Sequence, residues 1–217
     1  MRALIYSRPN SALSSSLAFD KLQKTANAVP FVGTERAANF AMANLIDLES
    51  RDDRGNLRVV VESPKGSKAK IKYNPALGVF ELQRLIAATG YPYDWGFVPG
   101  TLAADGDPLD AMVIHDDHTW PGVVIPCVGI AVLKLIEAKA GEAETRRNDR
   151  LIAVPAASMV RRAGKALDSD TRVLLEQFFV ATGELANKRI LIEGWGAEDA
   201  AAVALARAAE AYDAKRS

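Results

Sequence analysis

YPYDWGFVPGTLAADGDPLDAMV, residues 91–113, carries three carboxylates within six positions, Asp105, Asp107 and Asp110, with Gly106 and Pro108 between them. Two carboxylates about 4 Å apart repel by roughly 4 kcal/mol at an effective dielectric near 20. Such crowding needs water to screen it or a cation among the oxygens. Asp, Gly and Pro are also ordinary turn residues, so a solvated acidic turn is the competing reading of the hexapeptide alone. The stretch GYPYDWGFVPGT (90–101) has three glycines and two prolines. It reads as an ordered loop packed by its own aromatic side chains.

On both sides the pattern is β. Leu57 to Glu62 is rich in β-branched residues and ends on an acid, and Ser63-Pro64-Lys65-Gly66-Ser67 reads as a turn. Residues 69–73 and 78–84 read as two strands around the bend Asn74-Pro75. Further β-like runs fall at 111–115, 122–136, 151–154 and 189–193. Two helices follow. One starts near Asp168-Ser169-Asp170, which offers N-cap residues, and places Leu174, Leu175, Phe178 and Phe179 on one face. The other, roughly 197–213, is Ala-rich with Val203, Leu205 and Tyr212. Strands first and helices after indicate an α+β fold, a small OB-like β-barrel with peripheral C-terminal helices. Residues 1–45 read as an N-terminal extension, with a short helix near 35–45, and 46–217 as the folded domain.

Global numbers narrow the function. The 217 residues carry 27 Lys+Arg and 27 Asp+Glu, a net charge of zero. A nucleic-acid partner calls for a basic excess, so none is expected. The single cysteine, Cys127, sits in an apolar run and reads as a buried, inert thiol. The longest mainly apolar uncharged stretch, 119–133, is too short to span a bilayer and is broken by Pro121, Gly122 and Pro126. Residues 1–30 lack the continuous apolar segment of a secretory signal. Cytoplasm is the expected compartment, with no membrane partner.

Most of the unusual acids fall near strand ends or in tight loops. Glu62 ends the first strand, Glu137 follows the long one, and Asn148-Asp149-Arg150 precedes 151–154, while Lys70, Lys72 and Arg84 interleave on the second and third strands. Carboxylates converging on a barrel mouth, with Lys and Arg around them, suit a hard divalent cation such as Mg²⁺ and phosphate oxygens that share it. Taken singly, Glu62 or Glu137 reads more simply as a solvated strand end. Other chemistries fit less well. Gly164-Lys165 is followed by Ala166 and lacks the upstream glycine of a phosphate loop. There is no cysteine pair for zinc and no nucleophile elbow. His115 and His118, around Asp116-Asp117, read as a solvated loop.

Residues 91–113 resemble the signature region of the family I soluble inorganic pyrophosphatases. The likeness runs from about Val60 to Trp195, through KIKYNPALGVFELQR (70–84), NDRLIAVP (148–155) and EGW (193–195). The resemblance implies a five-stranded barrel, Mg²⁺ dependence, hydrolysis of inorganic diphosphate to two phosphates, and homo-oligomers. It implies that Asp105 and Asp110 are metal ligands, Asp110 bridging two ions, and that Asp107 accepts a proton from the attacking water. Glu62 matches an acid serving a further metal, and Lys70 and Arg84 match phosphate-binding residues. Glu137, by alignment from the upstream strand, and Asp149, as the neighbour of Asn148, are the remaining metal candidates. Arg150 stands where the family usually has Lys and joins the substrate-binding set.

The match has gaps. Trp95 replaces a Tyr, Lys72 an acid, Asn148 a metal-binding acid, and Thr182-Gly183 a Tyr-Lys pair. Two alternatives therefore stay open: the same scaffold acting on another phosphoanhydride such as a short polyphosphate, or a turnover-deficient metal- and phosphate-binding oligomerisation module. On this reading, Thr182→Tyr with Gly183→Lys raises the specificity constant for diphosphate, provided Lys72, Lys188 or Arg189 does not already fill the vacancy.

Overall fold

The computed structural model describes residues 44–86, 90–117, 119–158 and 167–216. The N-terminal extension up to residue 43, His118 and Gly164-Lys165 lie outside them. Among the described residues, nine strands and two α-helices follow in chain order: β1 Leu57–Ser63, β2 Ala69–Asn74, β3 Val79–Leu85, β4 Asp94–Phe97, β5 Asp110–Val113, β6 Val124–Lys139, β7 Arg146–Arg147, β8 Arg150–Pro155, α1 Ser169–Leu185, β9 Lys188–Gly196 and α2 Glu198–Arg216.

Five strands close into a ring in the order β1-β4-β5-β8-β6, with β6 returning to pair β1. The barrel expectation holds, and the closure has a clear cause. The 16-residue β6 is long enough to serve four partners: β1 through Val124–Cys127, β8 through Cys127–Leu133, β9 through Val132–Lys139, and β7 at Ile136 and Glu137. Bulges after Gly129 and Lys134 let it bend between them. β5 and β8 are parallel, and the other ring pairs are antiparallel. β2 and β3 form a separate hairpin.

Side-chain alternation sorts the core onto two faces. Ala111 and Val113 of β5 and Leu151 and Ala153 of β8 face inward, where Ala201, Leu205 and Ala208 of α2 join them. Met112, Ile114, Ile152 and Val154 point the other way and are covered by Leu175, Phe178 and Phe179 of α1. Asp168 caps α1 by accepting from Thr171 N at 2.7 Å. Leu174, expected on the buried face, is 45 % exposed; one residue off the Leu175–Phe178–Phe179 stripe, it points to solvent.

Two sequence expectations need correction. The stretch 90–101 is not wholly loop: Asp94–Phe97 is the central strand β4, joining β1 to β5. It is short and interrupted by Gly96, which hides the strand pattern. That glycine is required, because a Cβ there would collide with Val60 O of the neighbouring strand. β6 also runs past Ile136, so Glu137 lies within the strand, opposite Ile190 of β9 and Arg146 of β7.

Candidate active site

A cavity of about 570 Å³ opens beside the acidic loop. Its walls come from five places: Glu62 of β1, Lys70 and Lys72 of β2, Trp95 of β4, the 105–110 loop, and Asn148 with Arg150 at the start of β8. Lys188 of β9 and the C-terminal end of α2, with Tyr212, Lys215 and Arg216, complete it.

The loop's geometry is set by its flanks. Thr101 Oγ1 donates to Val98 O at 2.6 Å and accepts from Leu109 N at 2.9 Å, while the Leu109 side chain is buried in the inner core. Ala103 N donates to Asp107 O, and Gly106, at φ 90°, makes the tight turn between them. Asp107 N donates to Asp105 Oδ1 at 3.2 Å. Thus Asp105, Asp107 and Asp110 all line one cavity.

Each of the three has acquired a nitrogen partner. Asn148 Nδ2 donates to Asp105 at 2.7 Å, and Lys72 Nζ to Asp107 at 2.6 Å. Arg150 Nη1 donates both to Asp110 and, at 2.5 Å, to Asn148 Oδ1. Arg150 is only 8 % exposed, and its guanidinium carbon lies 5.4 Å from the Trp95 ring centroid and 5.9 Å from that of Phe179. Such a seat favours a desolvated guanidinium. The counter-charge demanded by the acidic hexapeptide is thus supplied in large part by the chain itself.

Two acids remain under-compensated. Glu62 is 6 % exposed and, among the described residues, accepts a hydrogen bond from Tyr73 N at 2.8 Å; burial pushes its carboxyl up to about 7. Burial also raises Asp110, with Arg150 opposing it. The folded state therefore holds the Glu62 proton to higher pH than an ordinary Glu at 4.5, and binds more protons than the unfolded chain between about 4.5 and 7. Stability in chelator is expected to fall across that window as pH rises, by about 3 kcal/mol from this group. Urea unfolding at pH 5 and pH 8 checks it: Glu62→Gln flattens the pH dependence, and an unchanged slope refutes the assignment.

The other expected site residues divide: Lys70 and Arg150 line this cavity and the next, Glu137 shares a further cavity wall with Asp105 and Asp107, and Arg84 lies farther back. Lys70, Arg84, Glu137, Arg150 and Lys188 meet at a second cavity of about 140 Å³ behind Trp95. Burial works to raise the Glu137 carboxyl, but the hydrogen bond from Lys188 at 2.8 Å, with Asn148 and Arg150, holds it below the usual range. Glu137 is thereby paired with Lys188 and, more loosely, with Arg150. Asp149 is not brought to either cavity; it accepts from Leu135 N at 3.3 Å and Arg147 Nε at 2.9 Å. Alternation along the chain turns Asn148 inward and its neighbour outward. His115 is not a solvated loop residue either; its Nε2 lies 2.9 Å from the buried Asp94 Oδ2.

The carboxylate oxygens of Glu62, Asp105, Asp107 and Asp110 are the right donors for a hard divalent ion, and the raised carboxyls of Glu62 and Asp110 would gain from one. The donor set fits, although among the described residues no three acids are already gathered as ligands. The family model for inorganic pyrophosphatase matches residues 59–213. The chain belongs to the inorganic pyrophosphatase family. An inorganic pyrophosphatase of a Synechocystis species is 36 % identical over 166 residues, covering 72 % of this chain and 92 % of that one. One from Methanosarcina acetivorans is 34 % identical over 158 residues, 71 % and 90 % of the two chains. The crystal structure of the Thermus thermophilus inorganic pyrophosphatase superposes with TM-score 0.69 at 29 % identity, covering 79 % of this chain and 99 % of that one.

Within this pyrophosphatase fold, residues overlooked as site members are now evident. Asn148, a departure in the sequence, and Lys72, there a departure as well as one of the interleaved cations, both bind loop carboxylates. Lys188 could have been found by period-2 alternation, since Lys188, Ile190 and Ile192 are less exposed than Arg189, Leu191 and Glu193. The expectation for Thr182→Tyr with Gly183→Lys meets a steric obstacle. Gly183 lies inside α1, and a Cβ there would collide with Ile190 Cγ1 of β9. A side chain added at that position requires the Ile190 side chain of β9 to shift.

Proposed function

We propose that this protein hydrolyses inorganic diphosphate to two phosphates in a Mg²⁺-dependent reaction. The observation that carries the reading is the convergence of Glu62, Asp105, Asp107 and Asp110 on one cavity, flanked by Lys70, Arg84 and Arg150. Family membership supports the same reaction. Asp105, Asp110 and Glu62 are the residues to hold Mg²⁺. Bound there, Mg²⁺ lowers the pKa of water and offsets phosphate charge. Asp107, half exposed at the cavity wall, accepts the proton of the attacking water. Lys70, Arg84 and Arg150 bind and orient the phosphates, and Trp95 with Phe179 keeps the Arg150 fork in place. Cytoplasm is the proposed compartment; among the described residues no helix is long and apolar enough to cross a membrane. Leu77, Leu82 and Leu85, each more than 60 % exposed in the β2–β3 region, support a homo-oligomer, which the mass by light scattering checks.

A specific observation favours a second reading. Lys72 already engages Asp107, which opposes proton acceptance and suits a turnover-deficient, phosphate-binding module. Phosphate release from diphosphate, triphosphate and ATP, with Mg²⁺ and with EDTA, separates the readings. The proposed enzyme releases phosphate fastest from diphosphate and only with Mg²⁺. Faster release from triphosphate moves the substrate to a longer phosphoanhydride, and no release from any of them leaves the binding module.

A further inference from the structure

The acidic loop lines only one end of the larger cavity. At about 570 Å³ the space falls within the roughly 300–1,000 Å³ of pockets that hold organic ligands, and it is larger than two phosphate groups fill. The segments that carry Lys72 and Asp105 also carry Tyr73 and Leu102 into its other end. There the Tyr73 and Phe97 rings lie 6.2 Å apart at 27°, both buried, with Ile46 packed against them. Leu102 N donates to Ala208 O of α2 at 2.8 Å, and Gly100 N to Ile46 O at 2.8 Å. The half-buried Ile46 and Leu102 side chains thus stand on backbone held from both sides, and together they make an apolar shelf.

The rim of the shelf is polar. Tyr212 OH donates to Asp47 Oδ1 and ties the end of α2 to residues 45–47. The Arg216 guanidinium carbon lies 5.5 Å from the Tyr212 ring centroid, and its Nη1 donates to Tyr212 OH at 3.4 Å. Cations in a last helical turn also suit the helix dipole, so Lys215 and Arg216 alone indicate no ligand. Their combination with the shelf and Asp47 does. A longer inorganic polyphosphate would shed water from its charges against Ile46, Leu102 and Phe97 and then meet the Asp47 carboxylate, and both are unfavourable. An organic group with flat apolar faces and hydroxyl donors gains from each feature. It buries area on the shelf, donates to Asp47, and stacks on the guanidinium plane of Arg216.

We propose that the shelf is a nucleoside subsite, and that the cavity binds a nucleoside diphosphate with its phosphates at the acidic end and its base between the shelf and Arg216. The proposal rests on the phosphoanhydride reading of the acidic end. It extends the ligand class from inorganic diphosphate to nucleoside esters of it, with Asp47 as the acceptor for the ribose hydroxyls.

Calorimetric titration of the full chain in Mg²⁺ compares two probes that resist hydrolysis and differ by the adenosine, methylenediphosphonate and α,β-methylene-ADP. Both are expected to bind. Arg216→Ala and Leu102→Gln are each expected to weaken α,β-methylene-ADP roughly three- to tenfold and to leave methylenediphosphonate unchanged. Arg216 sits exposed at the end of α2, so its variant decides even where Leu102→Gln does not fold. If a folded variant weakens both probes alike, the rim serves phosphates and the inference fails. Binding of α,β-methylene-ADP that neither variant changes puts the nucleoside elsewhere and also overturns it. Binding of methylenediphosphonate but not of α,β-methylene-ADP removes the nucleoside subsite and leaves the phosphoanhydride reading standing, whereas binding of neither removes both.

Discussion

Asp107→Asn is expected to lower diphosphate turnover by roughly 10²- to 10⁴-fold, the usual range for a lost general base. The fold should survive. Asp107 is about half exposed, and its pair with Lys72 lies at the cavity wall, where ion pairs add little stability. The amide still fits the turn, because the Ala103 N and Asp105 contacts use the backbone of residue 107. Mg²⁺ affinity should change little. Asp110→Asn is expected to behave differently, weakening Mg²⁺ binding, since Asp110 is placed as a metal ligand and not as the base. Steady-state kinetics beside a calorimetric Mg²⁺ titration of both variants checks the division. Equal loss of metal affinity in the two variants rules it out.

Arg150→Met should give the largest loss of stability, about 3–5 kcal/mol near neutral pH, the range for breaking a buried pair by removing one partner. The variant leaves Asp110 and Asn148 without their guanidinium and takes one of two cations from Glu137. For a chain of this size that corresponds to a fall in melting temperature on the order of 10 °C. The deficit should shrink as pH falls. Burial already raises the Asp110 carboxyl and Arg150 opposes it; without Arg150 the carboxyl rises further, and protonation then relieves the unpaired charge. Arg150→Lys keeps the charge but loses the fork and its aromatic seat, so a smaller loss is expected. Thermal melts at pH 5.5 and pH 8 in EDTA measure both variants. An Arg150→Met deficit that does not depend on pH would mean lost packing rather than lost charge pairing.

These expectations differ in one respect from what the acidic hexapeptide suggests by itself. Three carboxylates in six residues ask for a counter-ion, and from sequence a metal is the natural one. The fold brings Lys72 from β2, and Asn148 and Arg150 from the start of β8, onto the same three acids. Chelation is therefore expected to stop turnover while leaving the fold largely intact.

Local residues already determined much of this protein. The DGDPLD turn, the β-branched run at 57–62, the N-cap at Asp168 and the Leu175–Phe178–Phe179 stripe each declare themselves within a few residues, because turn chemistry, side-chain alternation and helical period are short-range. They were enough for an α+β barrel and for most of the acids and cations of the site. Tertiary structure alone decided the rest. Strand β4 is four residues long with a glycine inside it, and only its pairing with β1 and β5 makes it a strand. Whether Asn148 or Asp149 faces the cavity depends on which way β8 enters the ring. Lys188 becomes a site residue only because β6 is long enough to carry β9 alongside it. Gly183 is fixed by Ile190, a contact made across the α1–β9 turn. Such choices rest on contacts between segments distant in sequence or on packing across a turn, and no local pattern encodes them.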